Sequence, residues 1–337
     1  MLHLEYVEFY ITNVCNLNCS RCNRFNNYAF AGHMDWQDHA NDYSEWSKIL
    51  DIDRIGILGG EPMLHPKFDQ WLHDIAALWP RANIIIMSNG TQLDRWPELY
   101  NLLSQYQGRV RLDISRHNAE FKQETLEKIQ SLYPSTYTKF FLNSYETYQS
   151  TGSHGYYVES GSQEQKPIDP SVIGPEIWAD KSYEVVYRDR YMIIRYTTAD
   201  NFDTAVVNLD NLNNKLFLDN TLSDPNKAVN ICSCKHSHHF LHGKLYKCGI
   251  TAVLPELFKQ FDVVATEEKK SLLSSYQPAE WSWDRRALEQ FIENLTNGAA
   301  IPQCALCAEH YTSEQFKAGT KKIKIEKRLR PSSLTSG

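Results

Sequence analysis

The stretch VCNLNCSRCN, Val14–Asn23, places Cys15, Cys19 and Cys22 within eight positions, separated by three residues and then two. Three thiolates fill three of the four positions around a tetrahedral metal, whereas a structural zinc site is closed by four protein ligands. Thiolates are also what iron–sulfur clusters require. A four-iron cluster held by three cysteines keeps one iron open to a small molecule.

The other five of the eight cysteines fall in two further groups: Cys232, Cys234 and Cys248 in CSCKHSHHFLHGKLYKCG, and Cys304 and Cys307 in CALC. None is an isolated core thiol. Pairs two or three residues apart argue against disulfides and for metal or cluster binding. Closed four-thiolate or Cys/His zinc is the alternative for the second group, and His236, His238 and His239 keep it open. The simpler reading of these histidines is a solvated loop.

Elements must position these groups, and the N-terminal part supplies them by alternation. Leu4–Thr12, Asp53–Gly60, Asn83–Gly90 and Arg109–Ser115 read as strands, rich in β-branched and aromatic residues or ending on turn signals. Between them, Asp42–Leu50, Pro66–Trp79 and Ala119–Tyr133 repeat apolar residues at helical spacing. This pattern predicts a parallel sheet covered by helices: an α/β fold, a partial (β/α)6 TIM-like barrel. Residues 149–167 are polar and Gly/Ser-rich, a long loop or active-site cover carrying Tyr156 and Tyr157. Tyr191–Tyr196 and Thr204–Leu209 read as further strands, and Trp283–Gly298 as an amphipathic helix with a glycine stop. The expected division is a core over 1–214, a small α+β extension over 215–316 and a basic tail over 317–337.

The cysteine triplet directly follows the first strand, so it sits at that strand's C-terminal end, where parallel barrels carry their chemistry. Three other strand ends are polar: GGEP (Gly59–Pro62), SNGT (Ser88–Thr91) and DISRHN (Asp113–Asn118). Glycines permit close approach of backbone to a ligand, and Glu61 offers an anion to an ammonium group. Turn and helix-cap chemistry accounts equally for any one of these taken alone.

Composition bounds the rest. The 337 residues are 42% hydrophobic and 23% charged, with net charge −6, which argues against a general nucleic-acid binder. There is no apolar run of membrane-spanning length and no charged-then-apolar leader. A cytoplasmic location is expected.

Taken in order along the chain, Cys-x3-Cys-x2-Cys, GGEP, SNGT and DISRHN resemble the signature of the radical S-adenosylmethionine (radical SAM) superfamily. The resemblance implies that Cys15, Cys19 and Cys22 hold a [4Fe-4S] cluster whose open iron chelates SAM. Gly59, Gly60, Glu61, Pro62, Ser88, Asn89 and Ser115 would contact SAM. Reductive cleavage would then give a 5′-deoxyadenosyl radical that abstracts a substrate hydrogen. The family often has an aromatic just before the third cysteine; this chain has Arg21 there, so Phe25 or Tyr28 would take its place near adenine. CNRFNNYAFAG also resembles the block found in radical SAM proteins of marine phages and bacteria.

The second cysteine group resembles the twitch extension, a shortened SPASM domain. That implies a second, auxiliary [4Fe-4S] cluster on Cys232, Cys248, Cys304 and Cys307. Ten residues separate Cys232 from Gly243 and four separate Gly243 from Cys248, a spacing that favours Cys232 over Cys234 as ligand. Cys234 is then the spare thiol: either an inert neighbour or, as in some radical SAM epimerases, a catalytic hydrogen donor. The auxiliary cluster would anchor substrate or take up the electron left after hydrogen abstraction. Size and cysteine count resemble twitch-bearing aminocyclitol dehydrogenases. The expected function is dehydrogenation or epimerisation of a carbohydrate or aminocyclitol, with a flavodoxin or ferredoxin as electron donor. Peptide modification is the second enzyme reading. A zinc-stabilised nucleic-acid binder using the tail lysines (Lys317, Lys321, Lys322, Lys324, Lys327) and Arg328 is the reading from another class.

Overall fold

The computed structural model describes residues 1–116 except 20, 21 and 29, residues 207–309 except 211, 214, 219, 220 and 233, and between them the backbones of four strands. The helix expected over Ala119–Tyr133, most of the loop over 149–167 and the tail over 317–337 lie outside the described residues. Twelve strands are seen: β1 (Leu2–Thr12), β2 (Leu50–Gly59), β3 (Asn83–Ser88), β4 (Val110–Arg116), β5 (Lys139–Ser144), β6 (Lys166–Ile168), β7 (Tyr183–Arg188), β8 (Ile193–Thr198), β9 (Val207–Asp210), β10 (Lys215–Leu218), β11 (His238–Leu241) and β12 (Lys244–Tyr246). The helices are α1 (Ala40–Ile49), α2 (Phe68–Leu78), α3 (Leu99–Ser104), α4 (Pro225–Ile231), α5 (Gly249–Gln260), α6 (Glu267–Ser274) and α7 (Arg285–Thr296).

Ten strands form one sheet in the order β12-β11-β1-β2-β3-β4-β8-β7-β5-β6. Six neighbours, β11 to β8, pair in parallel, and antiparallel strands extend the row at both ends. This is a mixed α/β fold built on a mostly parallel sheet. Two details differ from simple succession. β8 rather than β5 lies beside β4, and β9 leaves the sheet to pair with β10.

The sheet buries its outer face under aromatic residues. Val7, Phe9 and Ile11 alternate outward on β1 and are fully buried. Phe9 meets Tyr43 of α1, Trp71 of α2, Trp36, Trp79 and Phe240, with ring centroids 5.0–6.5 Å apart. α2 turns Phe68, Trp71, Leu72 and Ile75 inward at helical spacing. Each such side chain stabilises the fold by roughly 2–3 kcal/mol through burial. α7 ends at Gly298, which adopts φ +61°, as its position after the last turn requires.

The C-terminal third is joined to this core through the sheet itself. β11 pairs with β1, placing His238 opposite Val7 and His239 opposite Glu8. β11 and β12 are joined by His242-Gly243, both at positive φ (50° and 71°), the geometry of a tight two-residue hairpin turn. α1 pins that turn: the indole of Trp46 donates to the Gly243 carbonyl at 2.9 Å, and the Gly243 amide donates to the Tyr43 hydroxyl at 3.3 Å. The histidines expected in a solvated loop are therefore corrected. His238 and His239 are 3% and 0% exposed, because strand pairing with β1 carries them into the sheet; only His236 stays half-buried.

Candidate active site

The triplet loop leaves β1 where its register against β2 shifts, between Tyr10 and Thr12, so that Thr12 faces Gly59. Cys15, Leu17 and Cys19 form a small buried cluster apart from the main core, with Cys22 packed against it. Burial pushes the Cys19 thiol up, and Cys22 and Cys15 push it further. A bound cation would favour the Cys19 thiolate over the thiol.

Gly59 and Gly60 hold this loop in place. The Gly60 amide donates to the Thr12 carbonyl at 2.8 Å and the Glu61 amide to the Val14 carbonyl at 2.8 Å. A Cβ on Gly59 would strike the Thr12 backbone; one on Gly60 would strike the Val14 carbonyl and lie 2.9 Å from the Cys15 Cβ. The glycines expected to let a ligand approach thus let two loops of the chain touch each other.

Glu61 also differs from expectation. It is 0% exposed, and its carboxylate is used inside the chain. Oε1 accepts from the Ser88 hydroxyl at 2.8 Å and the Met63 amide at 3.1 Å, and Oε2 accepts from the Asn89 amide at 2.7 Å. Burial pushes the carboxyl up to about 7 despite these donors. Glu61 therefore clamps the end of β2 to the end of β3 and is not a free anion facing solvent. Pro62 opens the short turn Pro62–Leu64 that Glu61 caps.

SNGT completes the frame. The Asn89 side-chain amide donates to Asn16 Oδ1 at 3.0 Å and lies 3.9 Å from Cys15 Sγ. Asn16 donates to the Thr91 hydroxyl at 2.7 Å. Ser115 is half-buried on β4, opposite Thr197 of β8. Phe25 and Tyr28 both lie in the main apolar core; the Tyr28 hydroxyl donates to the Val207 carbonyl at 3.0 Å, and Phe25 takes φ +60°. Neither ring is exposed at the triplet.

The second cysteine group assembles from three segments. α4 ends on Cys232, whose sulfur accepts from the Cys234 amide at 3.3 Å. Cys248 caps α5 in a reciprocal arrangement with Thr251. Cys304 and Cys307 flank the end of the turn Pro302–Leu306, where the Cys307 amide donates to the Cys304 carbonyl at 3.0 Å. The contact with Cys234 and then burial raise Cys232, and Cys248 and Cys307 act on it as well. Burial raises Cys307, with Cys248, Cys304 and Cys234 adding to it. All five thiols thus form one electrostatic group, with Cys232 and Cys234 both inside it.

Sequence reasoning missed a buried ionic cluster beside these thiols. Glu8 Oε2 lies 2.8 Å from Arg24 Nη2 and 2.8 Å from His239 Nε2, and the Tyr6 hydroxyl donates to Oε1 at 3.0 Å. Burial alone would raise Glu8, but His239 and Arg24 bring it down to about 2. The signal was present: Glu8 interrupts the otherwise apolar and aromatic run Tyr6–Ile11 and needs a partner.

The donor set can be tested against the groups it would hold. Among the described residues, no three His, Cys, Asp or Glu side chains converge as one metal ion demands. Tetrahedral zinc, with Zn–S of about 2.3 Å, draws its sulfurs together. A four-iron cube takes one thiolate per iron and spreads them wider. Two buried cationic side chains add to this. Among the described residues, Arg24 Nε and Lys247 Nζ have no hydrogen-bond acceptor, and Lys247 immediately precedes Cys248. A thiolate-bound cluster would set negative charge beside Lys247 and beside the edge of Arg24 that Glu8 does not use.

Residues 9–142 match the model of the Radical SAM superfamily. GTP 3′,8-cyclase of Chlorobaculum tepidum is 29% identical over 98 residues, covering 27% of this chain and 28% of that protein. The chain therefore spans little more than a quarter of the curated relative it matches. Among solved structures, BtrN in complex with AdoMet and 2-DOIA is 23% identical, covering 34% of this chain and 46% of that one with TM-score 0.27. Streptococcus suis SuiB bound to precursor peptide SuiA is 10% identical over 88% of this chain and 67% of that one, with TM-score 0.36. Native anSMEcpe with bound AdoMet and Cp18Cys peptide is 17% identical over 39% and 40%, with TM-score 0.29.

Proposed function

We propose, for a chain that belongs to the radical SAM superfamily through residues 9–142, that Cys15, Cys19 and Cys22 hold a [4Fe-4S] cluster and that SAM binds at the ends of β1 to β4. When bound, these supply a 5′-deoxyadenosyl radical that abstracts a hydrogen atom from the substrate. The observation that carries this reading is the lattice of contacts from Gly60 and Asn89 to the triplet loop. It joins three strand ends around an incomplete thiolate cage. Asn16, Asn89 and Thr91 orient the loop, Glu61 locks β2 to β3 through Ser88 and Asn89, and Ser115 offers a hydroxyl along the same edge.

The second group is read as holding an auxiliary [4Fe-4S] cluster through Cys232, Cys248, Cys304 and Cys307, with Cys234 spare. We place the substrate among carbohydrates or aminocyclitols and the reaction as dehydrogenation or epimerisation, supported by chain size and cysteine count. Peptide modification is the second reading, and flavodoxin or ferredoxin the class of electron donor. Among the described residues no helix is long and apolar enough to cross a membrane.

Anaerobic reconstitution followed by iron and sulfide counting tests the reading. Roughly eight irons per chain are expected, four for each cluster, together with 5′-deoxyadenosine when SAM and dithionite are added. Bound zinc without iron would sink it and favour the nucleic-acid-binding alternative.

A further inference from the structure

Two residues after Cys22, Arg24 turns back into the sheet and comes to lie between Glu8 of β1 and Gly249, the residue after Cys248. Its neighbour Asn23 directs a side-chain amide at Cys234 Sγ, 3.9 Å away. Arg24 Nη2 is anchored on Glu8 at 2.8 Å. The other edge of the guanidinium faces the second group: a Cβ on Gly249, the residue after Cys248, would collide with Arg24 Nη1. Gly249 is thus a glycine because Arg24 occupies the space beside it. Arg24 is 8% exposed, and its Nε has no acceptor among the described residues. Glu8 is itself saturated by Arg24, His239 and Tyr6, so its charge is drawn to the side of the guanidinium away from Gly249. A fixed dipole results, with its positive end toward Gly249, the residue after Cys248.

We propose that Arg24, held by Glu8, is a positioning residue whose buried positive charge raises the reduction potential of the cluster on the second cysteine group. This rests on the reading that the second group holds an iron–sulfur cluster. One-electron reduction adds a negative charge to such a cluster, and a nearby cation stabilises the reduced form more than the oxidised one. Burial leaves that charge poorly screened by water or salt.

The test is an EPR-monitored dithionite titration of the reconstituted full chain and of three variants. At the wild-type midpoint of the second cluster, Arg24→Gln should lower the reduced-to-oxidised ratio about tenfold, the scale expected of one partly compensated charge at this depth. Arg24→Lys keeps the charge and should stay within about threefold of wild type. Glu8→Gln removes the compensating anion and should raise the ratio. A merely structural role would instead lower iron content in all three variants without opposite shifts. Wild-type chain with a single cluster signal would overturn this inference and the second-cluster reading together. Two clusters with an unmoved ratio in Arg24→Gln, or equal effects of Gln and Lys, would overturn the inference alone. Should Arg24→Gln fail to fold, Glu8→Gln decides, and an unmoved or lowered ratio overturns the proposal.

Discussion

Gly60 lies directly against Cys15: a Cβ at position 60 would stand 2.9 Å from the Cys15 Cβ and strike the Val14 carbonyl. The ligand loop and the end of β2 are thus held at backbone contact, closer than any side chain allows. Gly60→Ala should force the loop outward. The expected cost is about 1–3 kcal/mol, with iron lost from the first cluster and 5′-deoxyadenosine formation reduced more than total iron. Chemical unfolding, iron counts and the cleavage assay check it; unchanged cleavage would refute the contact.

Cys15→Ala removes one thiolate of an incomplete cage and should abolish SAM cleavage. Iron should fall from roughly eight to roughly four per chain, since a cluster left with two cysteines is not retained. Persistent 5′-deoxyadenosine formation would show that Cys15 is not a ligand.

Glu61 gives a pH dependence with a definite sign. Its carboxyl is raised from 4.5 to about 7 in the folded chain, so the folded state binds the proton more tightly than the unfolded state does. The stability this confers is complete below pH 4.5 and is lost as pH rises through about 7. The full span corresponds to about 3 kcal/mol. Glu61→Gln should flatten the Tm–pH profile across that window. It should also cost about 1–3 kcal/mol, because one of its two terminal atoms becomes a donor while the Ser88, Met63 and Asn89 donors still need acceptors. A profile with the same slope in the variant would assign the dependence to another group.

Gly243 sits at φ +71° with its missing Cβ pointing at Asp42, in the turn that α1 pins. Gly243→Ala should cost about 1–2 kcal/mol through left-handed strain. Because the hairpin leads directly into Cys248, the loss of iron should fall on the second group. EPR of the reduced variant would then retain the first cluster's signal and weaken the second; the reverse pattern would show that the hairpin does not position Cys248.

Much of the framework was legible from residue types and periods. The apolar runs at Leu4–Thr12 and Asn83–Gly90 and the helical spacing in Pro66–Trp79 appear as β1, β3 and α2, because burial on one or both faces leaves a period in the sequence. The clustering of cysteines was legible for a similar reason, since ligand spacing is local. What the loop glycines contact was not. Gly59 and Gly60 read as letting backbone approach a ligand, and in the fold the side on which a Cβ would stand is taken by Thr12–Cys15.

The histidines mark the same boundary. HSHH reads as polar and solvated, yet β11 pairs with β1 from more than two hundred residues away in the chain and buries His239 on Glu8. The sequence by itself determined the three-cysteine spacing and the order of polar strand ends, because both are set along the chain. Only the tertiary structure decided that Glu61 is spent on Ser88 and Asn89, and that Arg24 lies between Glu8 and Gly249, the residue after Cys248. Those outcomes depend on which strands become neighbours. Burial then obliges each charged side chain to find its partner across the sheet.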